Sequence, residues 1–148
     1  MSTRRAAREL AFRVLFESDV GGAPTEEVLT AAIERARLDE AGIAFLSELC
    51  RGTAARQREF DKLIAGSATS HTLDRLARTD RTILRMALAE MRVIGTPAPV
   101  VINEAVDLAK KYGTEDSGRF VNGMLGKIVR DWEQSDRGVR EDGGSTDS

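Results

Sequence analysis

The sequence holds one cysteine, Cys50, and one histidine, His71, among 148 residues. A lone cysteine excludes an intramolecular disulfide and suits a reducing compartment. Cys50 itself reads as a small buried apolar residue. With one histidine and no CxxC pair, a zinc site would have to be built mostly from carboxylates, so neither a metal nor a cofactor is expected. The same scarcity leaves a Cys–His or Ser–His nucleophile without its parts. The glycines near Gly113 and Gly118 lack the lysine spacing and the preceding strand of a phosphate loop. No apolar run is long enough to cross a bilayer. Nothing looks like a signal peptide, because the early arginines alternate with apolar residues at helical spacing. The expectation is a soluble cytoplasmic protein that is not an enzyme.

What is present points to helices. Hydrophobic residues make up 41% of the chain and aromatics only 5%. The apolar positions are filled mainly by Ala, Leu, Ile and Val, which favours helix over strand. The length fits one domain able to bury its own core. The formal net charge of −2 argues mildly against a nucleic-acid surface, but the charge is segregated. From Asp136 onward four carboxylates oppose Arg137 and Arg140. The first thirteen residues carry Arg4, Arg5, Arg8 and Arg13 against Glu9 alone.

A first helix is expected from a Ser2 or Thr3 cap to about Val20, with Ala7, Leu10, Ala11, Val14 and Leu15 on its buried stripe. Pro24-Thr25 opens a second, through about Leu38. A third, long helix starts near Asp39 and runs to Gly66, with Gly52 inside it to bend it or to admit a close neighbour. Gly66 to Ser70 reads as a linker, followed by a helical turn around Leu73 to Ala77 and a helix from Asp80 to Ile94. Pro99 suits the first turn of a helix ending at Tyr112, with Gly113 just past its end. Asp116 or Ser117 caps the last helix, whose stripe is Phe120, Val121, Met124, Leu125, Ile128, Val129 and Trp132. The expected fold is all-α, with six to seven helices in two small packed bundles divided at the linker. Residues 1–135 form the domain, and 136–148 a disordered polar tail.

Three stretches carry a family resemblance. The run Val100-Val101-Ile102-Asn103-Glu104-Ala105-Val106-Asp107-Leu108-Ala109-Lys110-Lys111-Tyr112-Gly113, with Asp116-Ser117 and Phe120-Val121-Asn122-Gly123-Met124-Leu125, resembles the C-terminal signature of the NusB family. Arg4-Arg5-Ala6-Ala7-Arg8-Glu9-Leu10-Ala11 resembles its arginine-rich first helix, and Asp80-Arg81-Thr82-Ile83-Leu84-Arg85 its mid-chain segment. The resemblance implies transcription antitermination without enzymatic activity. It implies binding of boxA-type single-stranded RNA together with the ribosomal protein NusE, so that RNA polymerase reads through terminators, notably in ribosomal RNA operons. It also admits a homodimer.

By the same resemblance the RNA contacts are Arg4, Arg5, Arg8, Phe16, Asp80, Arg85, Phe120 and Asn122. Asp116 and Phe120 lie near the junction with NusE. Arg4, Arg5 and Arg8 share a helix surface at i, i+3 and i, i+4 spacing, and guanidinium groups suit phosphate oxygens. An ordinary solvated basic face is the alternative. Phe16 either stacks a base or packs in the core, and Phe12 is more at home in the core. Asp80 serves as an N-cap, an acceptor for a base amino group, or both. Asp116 and Ser117 have capping as a competing role, and Phe120 has core packing. Lys110 and Lys111 read as solvated, as do the carboxylates Glu104 and Asp107. Gly118 and Arg13 depart from the family pattern. The same fold precedes some ribosomal RNA cytosine methyltransferases as a substrate-binding module, but no stretch after the last helix offers a methyl-donor domain.

Overall fold

The computed structural model describes residues 3–67 and 76–146, with the backbone alone from 137 onward. Among these residues there are seven α-helices: α1 (Thr3–Gly21), α2 (Thr25–Arg35), α3 (Glu40–Ala55), α4 (Gln57–Ser67), α5 (Arg78–Ala89), α6 (Ala98–Tyr112) and α7 (Ser117–Thr146). A π-helical turn, Glu90–Ile94, prolongs α5 and ends at Gly95 with φ 86°. No described helix is long and apolar enough to cross a membrane.

The centre of the fold is α5, where every residue from Thr82 to Ala89 is buried. A helical stretch buried on every side has no solvent face and must be enclosed by others. It packs against α1, α3, α4, α6 and α7. Around it, α1, α2 and α3 bury Ala7, Ala11, Val14, Leu29, Leu46 and Leu49 against one another. The stripe expected on the last helix also packs inward, with Val121, Met124, Leu125 and Ile128 buried and Trp132 half-buried.

The long third helix expected from Asp39 to Gly66 is two. Asp39 caps α3, accepting from the Gly42 N–H at 2.8 Å. The chain then leaves helical geometry at Arg56, with φ −112° and ψ 20°. This break lets Phe60 and Ile64 of α4 turn toward α5 and α7. The division into bundles therefore falls at Arg56, with α4 siding with the C-terminal helices, and not at the 66–70 linker. Gly52 does admit a close neighbour: a Cβ there would lie 3.1 Å from Val93 Cγ1.

Other expected boundaries shift. Helix α2 stops at Arg35 because Ala36 is extended. Helix α5 begins at Arg78 after Ala77, so Asp80 stands inside its first turn and is not the N-cap. Gly66 and Ser67 are helical, while residues 68–70, His71, the turn at Leu73 and the Ser2 cap lie outside the described residues. The stretch after Ser135, expected to be disordered, continues α7 as helix to Thr146. A helix already nucleated extends at one hydrogen bond per residue, and no proline interrupts it.

Gly113 closes α6 in an unexpected way. Its φ of −95° is open to any residue, so the requirement for glycine is one of space. A Cβ would meet Ser117 Cβ at 2.6 Å and the Ala109 carbonyl oxygen at 2.7 Å. That crowding follows from a turn in which Ser117, buried, accepts from the Thr114 N–H at 2.9 Å. Gly113→Ala should therefore cost about 1–3 kcal/mol by overpacking, measured as a lowered urea midpoint. A neutral result would mean that the α6–α7 turn is free to relax.

Candidate nucleic-acid interface

The basic face of α1 is not uniformly basic once folded. Arg8 lies in phase with Ala11, Phe12 and Leu15, all buried, and is itself only 5% exposed. Its Nε and Nη2 donate to Glu90 Oε1 and Oε2 at 2.7 and 2.8 Å, and Glu104 lies 3.6 Å from Nη1. The π-helical turn supplies that partner: Glu90, its first residue, is 1% exposed. Every donor edge facing inward is thus engaged. Arg8 is held in a structural ion pair, which leaves no free inward donor for the phosphate role expected from the sequence.

Arg85 is engaged in the same way. It is buried in α5, donating to both oxygens of Asp61 at 2.6 and 2.9 Å, with Asp19 at 3.6 Å. Asp19 also takes Arg81 at 3.3 Å, and its backbone carbonyl accepts from Arg78. Three arginines of α5 thereby gather at the last turn of α1, where the carbonyl ends of the helix favour positive charge. Their role is to fasten the start of α5 to α1 and α4.

Arg4 and Arg5 remain on the surface. The Arg4 guanidinium sits 4.9 Å from the centroid of Phe45. Arg5, half-exposed, reaches Asp107 at 3.0 Å and Glu104 at 3.7 Å. The two carboxylates expected to be solvated are therefore partners of α1. Exposed pairs of this kind are worth at most about 1 kcal/mol, so Arg5 can exchange Asp107 for a phosphate at little cost. The pairs Arg5–Asp107, Glu9–Lys111 and Arg13–Tyr112 advance along both helices in the same direction. Helices α1 and α6 therefore run side by side with like polarity, around a cleft of about 280 Å³.

Tyr112 was not among the sequence candidates. Its ring lies 4.8 Å from Phe12, which in turn lies 5.7 Å from Phe16. Its hydroxyl donates to Glu9 and accepts from Arg13 Nε at 3.2 Å. Glu9 also receives Lys111. Lys111 first, then the Tyr112 hydroxyl, hold the Glu9 carboxyl below its ordinary 4.5. A lowered folded value means that this cluster stabilises the protein above about pH 4.5 and ceases to as pH falls through the folded value. The melting-temperature gap between wild type and Glu9→Gln should hold steady above about pH 5 and shrink below it. A gap that persists at low pH would contradict this placement.

Beyond Tyr112 the chain turns, and three candidates from separate segments meet. Asp80, Asp116 and Phe120 line one hollow of about 230 Å³ with Leu76, Ala77 and Thr114. Asp116, just before α7, is exposed and its carbonyl accepts from the Phe120 N–H at 3.0 Å, and Phe120 is half-buried against the core. Asp80 Oδ1 is buried and accepts no hydrogen bond among the described residues. An acceptor left without a donor is costly. Asn122 is exposed but two residues from Phe120, roughly 200° round the helix, and stands outside the hollow. Gly118 lies under the stem of Lys110, whose Cγ would be 3.1 Å from a Cβ there.

Residues 5–130 match the model of the NusB family. The transcription antitermination protein NusB of Deinococcus deserti is 39% identical over 138 residues, spanning 88% of this chain and 82% of that protein. T. maritima NusB superposes with a TM-score of 0.82 at 32% identity, covering 88% of this chain and 92% of that one. A chain in a crystal structure of antitermination factors NusB and NusE in complex with dsRNA superposes with a TM-score of 0.80 at 30% identity, covering 88% and 98%.

Proposed function

This chain belongs to the NusB family, and on that premise we propose that it is a cytoplasmic, non-enzymatic transcription antitermination factor. It binds boxA-type single-stranded RNA jointly with NusE, so that RNA polymerase reads through terminators, notably in ribosomal RNA operons. The RNA-binding unit is residues 1–135. Arg4 and Arg5 supply phosphate contacts, and Phe16 offers a ring edge to an unpaired base. Asp116 and Phe120 stand at the NusE junction, and Asn122 contacts RNA from the exposed side of α7.

The observation that carries this reading is the meeting of Asp80, Asp116 and Phe120 in one hollow, with Asp80 Oδ1 left without a donor among the described residues. A base amino group is a donor of the right kind, and the neighbouring ring gives that base a surface to lie against. Such an arrangement selects sequence, while the arginines supply affinity that does not depend on it. With a net charge of −2, the chain alone should bind weakly, and NusE should add basic surface.

The test is a gel shift with boxA RNA, a scrambled strand and a boxA duplex, each with and without NusE. Preference for the single boxA strand and a gain on adding NusE are expected. No preference and no gain would overturn the reading.

A further inference from the structure

A second groove, of about 590 Å³, shares no residue with the α1–α6 cleft. It lies between α4, the π-helical turn and α7, and its walls include Arg56, Glu59, Phe60, Lys62, Arg92 and Trp132. Three cations face one carboxylate. Arg56, Lys62 and Arg92 are exposed and make no ion pair among the described residues. Arg5, Arg51 and Lys111 are exposed but paired; what distinguishes Arg56, Lys62 and Arg92 is that they line one groove. In a chain of net charge −2 this is a concentrated positive patch. The Arg92 guanidinium rests 3.8 Å from the centroid of Trp132, the one tryptophan of the sequence.

Cations alone would suit any acidic partner. An indole with a guanidinium stacked on it adds a flat platform, and flat platforms are what unpaired bases bind. We propose that this groove is a second contact for single-stranded RNA, holding nucleotides that flank the segment engaged at α1. Phosphates meet Arg56 and Lys62, and a base stacks on the Arg92–Trp132 platform. The inference rests on the RNA-binding reading above and adds a separate site to it.

Trp132 is its own reporter, because tryptophan emission from the full chain comes from this groove alone. Two RNAs are titrated at low salt: boxA alone, and boxA extended on each side by about six unpaired nucleotides, within the span one such surface accommodates. The extended strand should bind more tightly and quench Trp132 emission. Lys62→Ala with Arg92→Ala should weaken the extended strand by about tenfold and leave boxA alone unchanged. If the extended strand binds in a gel shift with no quenching and no loss in the double variant, the groove inference fails and the RNA-binding reading stands. If neither strand binds in a gel shift even with NusE present, both fail. If polyglutamate quenches Trp132 as RNA does while the extension adds no affinity, the groove serves an acidic protein segment and the inference is overturned.

Discussion

Arg8→Ala is expected to destabilise the protein by about 3–5 kcal/mol, the usual cost of removing one partner of a buried ion pair. Its side chain is 6% exposed and that of Glu90 is 1% exposed, so the truncation leaves a carboxylate buried without its counter-charge. Glu104 stands 3.6 Å from the same guanidinium and would add repulsion. For a chain of this size the melting temperature should fall by roughly 10 °C. Replacing both partners by apolar residues of similar volume, Arg8→Met with Glu90→Leu, should recover most of the loss, because desolvating the pair offsets much of its attraction. Urea unfolding of the two variants separates these outcomes. An Arg8→Ala protein as stable as wild type, yet unable to bind RNA, would return Arg8 to the list of phosphate ligands.

The second large effect is expected at Arg85. Its fork spans both oxygens of Asp61 on α4 and approaches Asp19 on α1, tying three helices at one point. The two carboxylates keep about a fifth of their surface, at 21% and 22%, so water can partly compensate them once the arginine is gone. Arg85→Ala should therefore cost somewhat less than Arg8→Ala, about 2–3 kcal/mol. Arg85→Lys should not restore it, since an ammonium cannot make the two parallel bonds. Equal stability of the lysine variant and wild type would show that charge suffices and the fork geometry is idle.

Much of this was legible in the sequence, and what was not has identifiable causes. The apolar stripes of α1, α6 and α7 set those helices and their buried faces. The break at Arg56 left no local mark: Ala54, Ala55, Arg56 and Gln57 are all good helix formers, and only the packing of Phe60 and Ile64 against α5 and α7 demands it. Arg8 could have been placed correctly. It sits at i−3, i−4 and i−7 from Ala11, Phe12 and Leu15, in phase with the stripe, and a charge on a buried stripe calls for a buried partner. Arg85 and Glu90 sent the same signal, within and just after the run Ile83 to Ala89. Their partners were hidden because Arg8 and Glu90 lie 82 residues apart. Tyr112 and Phe45 were missed for the same reason, as their roles come from contacts between distant segments. The meeting of Asp80, Asp116 and Phe120 in one hollow was expected from family resemblance, not from spacing.

The proposed division of the four candidate arginines, Arg4 and Arg5 for RNA and Arg8 and Arg85 for holding the helices, is best tested by the salt dependence of boxA binding in the presence of NusE. Arg4→Ala with Arg5→Ala removes two exposed cations that make no buried ion pair. The slope of log affinity against log salt should flatten by about 1.4, or about 0.7 for each lost contact to a single strand, with the melting temperature nearly unchanged. A slope equal to that of wild type would contradict the assignment of RNA binding to this end of α1.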